Sequence, residues 1–284
     1  MKLLLLDEGY PAAQLAGFEV VAAPQEDVVA VLTMPGQPVG EELMAQLPSL
    51  RVIGTATVGF DYIDMEAAER RGVAVVTAFG YCTEEVADHT LALLYALLRG
   101  VVELDRSVAR GVWDAKAAGP LRTLAGLRVG IVGLGRIGNA VAARLLALGA
   151  GVWANDVLPV ARDGVRFVEL DELLAECDAV TLHVPLTRET RGLLGRDRIA
   201  SMRPDALLVN TSRGGVVDAV AVFEALRGGR LGGAALDVLP HEPPPAVPVA
   251  PNLIVTPHAA YYSEASEELA YRLCIARVRE VLGA

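Results

Sequence analysis

Apolar residues recur along this chain in two rhythms, short runs and helical stripes, and their alternation predicts most of the fold. From the N-terminus, apolar runs at 2–6, 18–22, 28–32, 51–54 and 73–77 are separated by polar or helical pieces, the pattern of strands in a parallel α/β sheet. Asp7 and Glu8 interrupt the first run before a signal-peptide core is complete, so 2–6 reads as a buried strand. One long stripe follows over 83–98, where Val86, Leu91, Leu94, Leu97 and Leu98 repeat at helical spacing behind Thr83 as N-cap and Glu84 and Glu85 in the first turn. A helix-like stretch continues over 101–113 and ends before Gly119-Pro120. Beyond it, runs at 129–132, 151–156, 179–184, 206–209, 233–238 and 253–256 alternate with helical segments at 171–177, 196–202 and 218–226, so a doubly wound sheet is the simplest reading. Pro243-Pro244-Pro245 marks a surface loop, because proline fits neither helix interior nor inner strand, and 263–282 closes the chain as a helix able to return to the first strands. A length of 284 residues suits two domains, each with its own core, with the boundary near the start of the long helix.

The segment from Gly130 to Gly138 joins an apolar strand to a helix through a turn holding Gly133, Gly135 and Gly138. That spacing serves a dinucleotide: the first glycine makes the tight turn, the second lets backbone approach a pyrophosphate, and the third lets helix and strand pack closely. A lone Gly-x-Gly-x-x-Gly is weak evidence, since such glycines are often turn chemistry only. Asp156 ends the next strand about twenty residues past the glycines, where a carboxylate accepts hydrogen bonds from an adenosine ribose and favours NAD over NADP. Two other readings remain open at this point: Asp156 as an exposed loop acid, and Arg162 as the partner of a 2′-phosphate.

Composition narrows the partners. The net charge of −10, with no basic cluster, argues against nucleic acid, and every long apolar segment is broken by charge or glycine, which argues against a membrane span. Cys82, Cys177 and Cys274 lack metal spacing, so no metal is expected, and their odd number in a chain without an export signal suggests a reducing cytoplasm.

Polar residues follow several strands of the second half, where open α/β sheets bind ligands: His183 with Pro185, Asn210 to Arg213, Asp237, and His258. Hydride transfer to a 2-keto acid needs a cation for the carboxylate, for which Arg213 is suited, and a proton donor, for which His258 oriented by Glu242 is suited. In the first half, Val58 and Gly59 follow a strand and offer bare N–H groups to a carboxylate, or else form an ordinary turn with Asp64 as helix cap. Pattern alone leaves both assignments unsettled.

These stretches resemble the signature segments of the D-isomer-specific 2-hydroxyacid dehydrogenase family over nearly the whole chain. Gly133-Leu134-Gly135-Arg136-Ile137-Gly138 resembles its cofactor turn, His183-Val184-Pro185-Leu186-Thr187 its second segment, and 208–218 its third. The likeness continues through 233–238, Glu242-Pro243 and Thr256-Pro257-His258. The resemblance implies a central Rossmann NAD-binding domain, 83–260, and a discontinuous flavodoxin-like substrate domain, 1–82 with 261–284, both doubly wound parallel sheets with a cleft between them. It implies that Arg213 binds the substrate, that His258 donates the proton and that Glu242 pairs with it. It further implies NAD contacts at Gly133, Gly135, Arg136, Ile137, Gly138, Asp156, His183, Pro185, Thr211 and Asp237, the last at the nicotinamide carboxamide. Val58 and Gly59 are expected to cradle the substrate carboxylate, Tyr261 to wall the pocket for an apolar substrate side chain, and two chains to form a homodimer through the cofactor domains. Two departures touch the hinge: Thr77-Ala78-Phe79-Gly80 replaces Asn-x-Pro-Gly, and Ala87-Asp88-His89 replaces Ala-Glu-His. Residues 258–263 resemble the branch with the C-terminal-binding-protein corepressors, so an NAD-sensing interaction protein is the alternative to the expected enzyme.

Overall fold

A computed structural model describes residues 1–158, 161–246 and 249–283. The chain begins with β1 (Lys2–Leu5), β2 (Glu19–Val21) and β3 (Val28–Thr33), then α1 (Glu41–Ala45), β4 (Val52–Thr55), α2 (Met65–Arg70) and β5 (Ala74–Thr77). These strands form a wholly parallel sheet in the order β2-β1-β3-β4-β5, the flavodoxin-like order. Leu4, Val31 and Ile53 from the sheet meet Met44 of α1, Leu47 just after it and Ala67 of α2 in one apolar core. Asp64 caps α2 through its side chain, which accepts from the Ala67 N–H at 2.9 Å.

The long stripe is α3 (Thr83–Leu98), followed by α4 (Val101–Ala109), which stops short of Trp113 because the chain turns at Gly111 with φ of 82°. Then come β6 (Arg128–Val132), α5 (Arg136–Ala147), β7 (Gly151–Asn155), β8 (Val165–Phe167), α6 (Leu170–Glu176), β9 (Ala179–Leu182), α7 (Arg196–Ser201), β10 (Leu207–Asn210), α8 (Ala219–Arg227), β11 (Gly233–Leu236) and β12 (Leu253–Val255). They build a second parallel sheet in the order β12-β11-β10-β9-β6-β7-β8. Both faces are covered. Leu91 and Leu94 of α3 and Val141 and Leu145 of α5 cover one, and Leu173, Ile199 and Val222 of α6, α7 and α8 cover the other. This explains why every residue of β9, β10 and β11 is buried and nearly all are apolar: strands covered on both faces have no side left for water.

The last helix, α9 (Glu264–Leu282), is capped by Ser263 and packs on β4 and β5 of the first sheet. The described residues thus make two compact units, Met1–Cys82 with Tyr262–Ala284, and Thr83–Tyr261. Both units are doubly wound α/β, the fold class expected from the alternation of runs. In the second, chain order runs one way from β6 to β8 and the other way from β9 to β12, so the reversal lies between β6 and β9. The crevice outside the carboxyl ends of those two strands is where such a sheet binds its ligand.

Candidate active site

The glycine turn sits at that crevice. Gly133 leaves β6 with φ of 90°, and a Cβ there would lie 2.7 Å from the His183 carbonyl oxygen, so the turn lies directly against the end of β9. A Cβ on Gly138 would lie 2.1 Å from the Gly133 carbonyl oxygen, which any side chain would force apart. At Gly135 a Cβ would meet nothing within 4 Å, and this residue heads α5 without a side-chain cap. A helix end opened by glycine, with no capping side chain, suits a pyrophosphate. Arg136 is exposed and Ile137 partly buried at the same helix end. Asp156, half-buried after β7, accepts from the Leu134 N–H at 2.6 Å and the Leu158 N–H at 2.8 Å, which ties its carboxylate to the turn. Arg162 donates to the Asn139 side chain in the first turn of α5.

After β9, His183 Nε2 lies 3.1 Å from Thr181 Oγ1; the ring keeps some solvent contact, yet desolvation by the surrounding protein pushes its imidazole down to about 3. Pro185 is exposed, and its carbonyl accepts from Thr190 Oγ1 at 2.5 Å. Thr211 is buried, its hydroxyl 2.9 Å from that of Thr90 on α3.

Arg213 follows β10 on a loop that Asn210 ties down. The fully buried Asn210 amide accepts from the Ser212 N–H at 3.0 Å and donates to the Arg213 carbonyl at 3.0 Å. Gly214 packs this loop against the next: a Cβ there would lie 2.0 Å from the Leu239 carbonyl carbon. The Leu239 loop carries Glu242, whose Oε1 accepts from the Leu239 N–H at 2.8 Å and whose Oε2 lies 2.6 Å from His258 Nδ1. Burial pushes the Glu242 carboxyl up, but the bonds from His258 and Leu239 and the charges of His258 and Arg213 outweigh it and hold it below its ordinary value. Tyr261 sets its ring edge toward that of His258, with centroids 6.2 Å apart at 81°. Beside the pair opens a cavity of about 740 Å³ lined by Arg106, Leu239, Glu242, Val255, Thr256 and His258.

Asp237 directly follows β11. Its side chain is wholly inaccessible, with Oδ1 accepting from Thr256 Oγ1 at 2.6 Å and the Ala259 N–H at 2.9 Å, and Oδ2 from the Ala260 N–H at 3.0 Å. The side chain expected at the nicotinamide carboxamide is bonded to the backbone of the His258 loop, and the residue also lines the cavity beside His258 and Glu242. Burial pushes this carboxyl up, yet the bonds from His89, Thr256, Ala259 and Ala260 prevail and hold it at about 2.

In the first unit, Val58 and Gly59 lie on the loop after β4, braced by hydroxyls that the sequence did not single out. Tyr10 accepts from the Ala56 N–H at 3.0 Å, Thr57 donates to the Gly59 carbonyl at 2.5 Å, and the Tyr62 hydroxyl reaches Thr55 at 2.5 Å and Thr57 at 3.0 Å. Residue type alone gave no signal of this, because Tyr10 reaches the loop across the sheet from a distant segment. Among the described residues no group of His, Cys, Asp or Glu is placed to hold a metal ion, and no helix is long and apolar enough to cross a membrane.

Residues 91–260 match the NAD-binding domain of the D-isomer-specific 2-hydroxyacid dehydrogenases. The chain belongs to that family. It is 40% identical over 247 residues to a glycerate dehydrogenase of Methylorubrum extorquens, covering 83% of this chain and 77% of the relative. It is 40% identical over 239 residues to a D-3-phosphoglycerate dehydrogenase of Archaeoglobus fulgidus, covering 81% of this chain and 45% of that longer one. Its structure resembles that of D-lactate dehydrogenase from Aquifex aeolicus, complexed with NAD and lactic acid, with a TM-score of 0.88 and 29% identity over 100% of this chain and 96% of that one. The chain is thus an oxidoreductase of 2-hydroxy acids that uses a nicotinamide dinucleotide, and these relatives give no support to the corepressor-like alternative.

The depressed Asp237 carboxyl stabilises the fold above its ordinary value near pH 4, and this contribution is lost as pH falls toward about 2. Asp237→Asn should therefore be less stable at neutral pH, and the gap to the parent should shrink by ~2 kcal/mol between about pH 4 and pH 2. Urea unfolding across that range checks this; a gap independent of pH would contradict it.

Proposed function

We propose that the chain interconverts a D-2-hydroxy acid and its 2-keto acid, with His258 as the acid–base, Glu242 as its partner and Arg213 as the substrate anchor. The observation that carries this reading is the 2.6 Å contact between His258 Nδ1 and Glu242 Oε2 on a loop packed beside that of Arg213. The carboxylate fixes the proton on Nδ1 and turns Nε2 into the nitrogen that exchanges a proton with substrate. Arg213 pairs with the substrate carboxylate and draws electron density toward the keto oxygen. The bound dinucleotide supplies the hydride. With hydride delivered to the keto carbon, His258 Nε2 would give its proton to the keto oxygen, leaving a hydroxyl, and in oxidation it would take that proton back. The glycine turn and the amides opening α5 would hold the pyrophosphate, and Asp156 the adenosine ribose. Val58 and Gly59 offer their N–H groups to the substrate carboxylate. Tyr261, edge-on to His258, serves as an apolar wall for the substrate side chain, which favours apolar 2-keto acids over phosphorylated ones.

A homodimer through the cofactor domain is supported by apolar residues on and after α4: Val101, Val108 and Val112 are exposed and Trp113 is 90% exposed, more than a solvated helix needs. A reducing, cytoplasmic setting is supported by Cys177 and Cys274, buried thiols outside any disulfide that burial pushes up to about 12.

His258→Ala should lower kcat by about 10²–10⁴, the scale of general acid catalysis, with NADH still bound. Steady-state kinetics check this, and turnover within a few-fold of the parent would contradict it. Asp156 should make kcat/KM at least about tenfold higher with NADH than with NADPH, because a 2′-phosphate meets like charge and loses the ribose bonds. Equal efficiencies with the two would contradict that preference.

A further inference from the structure

Helix α3 carries one imidazole to the His258 turn. His89 Nε2 lies 3.6 Å from Asp237 Oδ1 and 3.3 Å from Thr256 Oγ1. Counting protons fixes the direction of these contacts. Thr256 donates its one hydroxyl proton to Asp237 Oδ1 at 2.6 Å, so toward His89 its oxygen only accepts. The ionised Asp237 also only accepts. His89 Nε2 therefore carries a proton, shared between the two oxygens.

The same aspartate seats the catalytic turn. The Ala259 and Ala260 N–H groups donate to its carboxylate at 2.9 and 3.0 Å, and the His258 N–H donates to its backbone carbonyl at 2.8 Å. Three successive amides converge on one residue, the kind of concavity that holds an anion. They keep His258 in a left-handed conformation, φ 53°, which side-chain-bearing residues seldom adopt unless their surroundings impose it.

We infer that His89 is a positioning residue for His258, acting through Asp237 and Thr256 to fix the turn that aims the imidazole. The inference rests on His258 being the acid. The inaccessible Asp237 side chain then serves as a bracket for the turn. Without the His89 proton, Thr256 and Asp237 each lose a donor in a buried setting and the turn loosens. Proton transfer suffers because it depends on sub-ångström placement, whereas dinucleotide binding, centred on the β6–α5 turn, is spared.

The test compares His89→Leu, His89→Gln and His258→Ala in the full chain, by kcat with glyoxylate and by NADH dissociation constant from fluorescence titration. His258→Ala is expected to abolish most turnover. His89→Leu is expected to lower kcat about tenfold with NADH affinity within about twofold of the parent. His89→Gln, whose side-chain amide again places an N–H near Thr256 and Asp237, is expected to regain most of that loss. Should His89→Leu fail to fold, Thr256→Val carries the same comparison. Unchanged kcat in His89→Leu, or NADH affinity falling as far as kcat, overturns the inference alone. Turnover retained in His258→Ala overturns the acid assignment and the inference with it.

Discussion

A carboxylate with no access to water holds the chemistry of this protein in place. Asp237 follows β11, the strand next to the β12 edge of the second unit's sheet, and every donor it accepts comes from the loop carrying His258 or from α3. A buried charge of this kind is costly unless it is fully hydrogen-bonded, so the loop has little freedom to move without exposing it. The cost of burying Asp237 thereby becomes the rigidity of the His258 turn. Glu242 acts at the other end of the same histidine, bound to Nδ1 and to the Leu239 N–H, so backbone and ring of His258 are fixed by two different acids.

The sheet topology places this assembly. Strand order reverses between β6 and β9, and the glycine turn, the end of β9 and the Arg213 loop all leave carboxyl ends near that reversal. Close backbone contact keeps them there: Gly133 lies on the His183 carbonyl and Gly214 on that of Leu239. Side chains at those two positions would separate loops that need to converge on one substrate. In the first unit the loop of Val58 and Gly59 is held differently, by a cluster of Thr55, Thr57 and Tyr62 hydroxyls and by Tyr10.

Much of this was legible in the sequence where the signal was periodic. Helix α3 spans the residues its apolar stripe marked, and β6, its glycine turn and α5 follow the expected order. Three short elements were not legible. β8, three residues at a sheet edge with no fully buried side chain, carries no alternation long enough to register. Likewise α1 and α2 span only five and six residues and bury only Met44, Ala67 and Ala68 between them, too few to leave a stripe. At the site, residue types and their places after strands were readable, but side-chain direction was not. Thr211 and Asp237 follow strands like the others yet turn inward, and only the hydroxyl of Thr90 and the amides of Ala259 and Ala260 explain why. His89 stood in the sequence only as the matching end of a hinge motif that departs at Asp88, because its partners lie 148 and 167 residues away.

The central claim is that this geometry serves stereospecific reduction at a 2-keto carbon. Its most direct test is to supply the purified protein with NADH and phenylpyruvate, follow NADH absorbance, and resolve the product on a chiral column. The expected result is D-phenyllactate formed in step with NADH consumed. Formation of the L-enantiomer, or no consumption with phenylpyruvate, glyoxylate or hydroxypyruvate, would contradict the account.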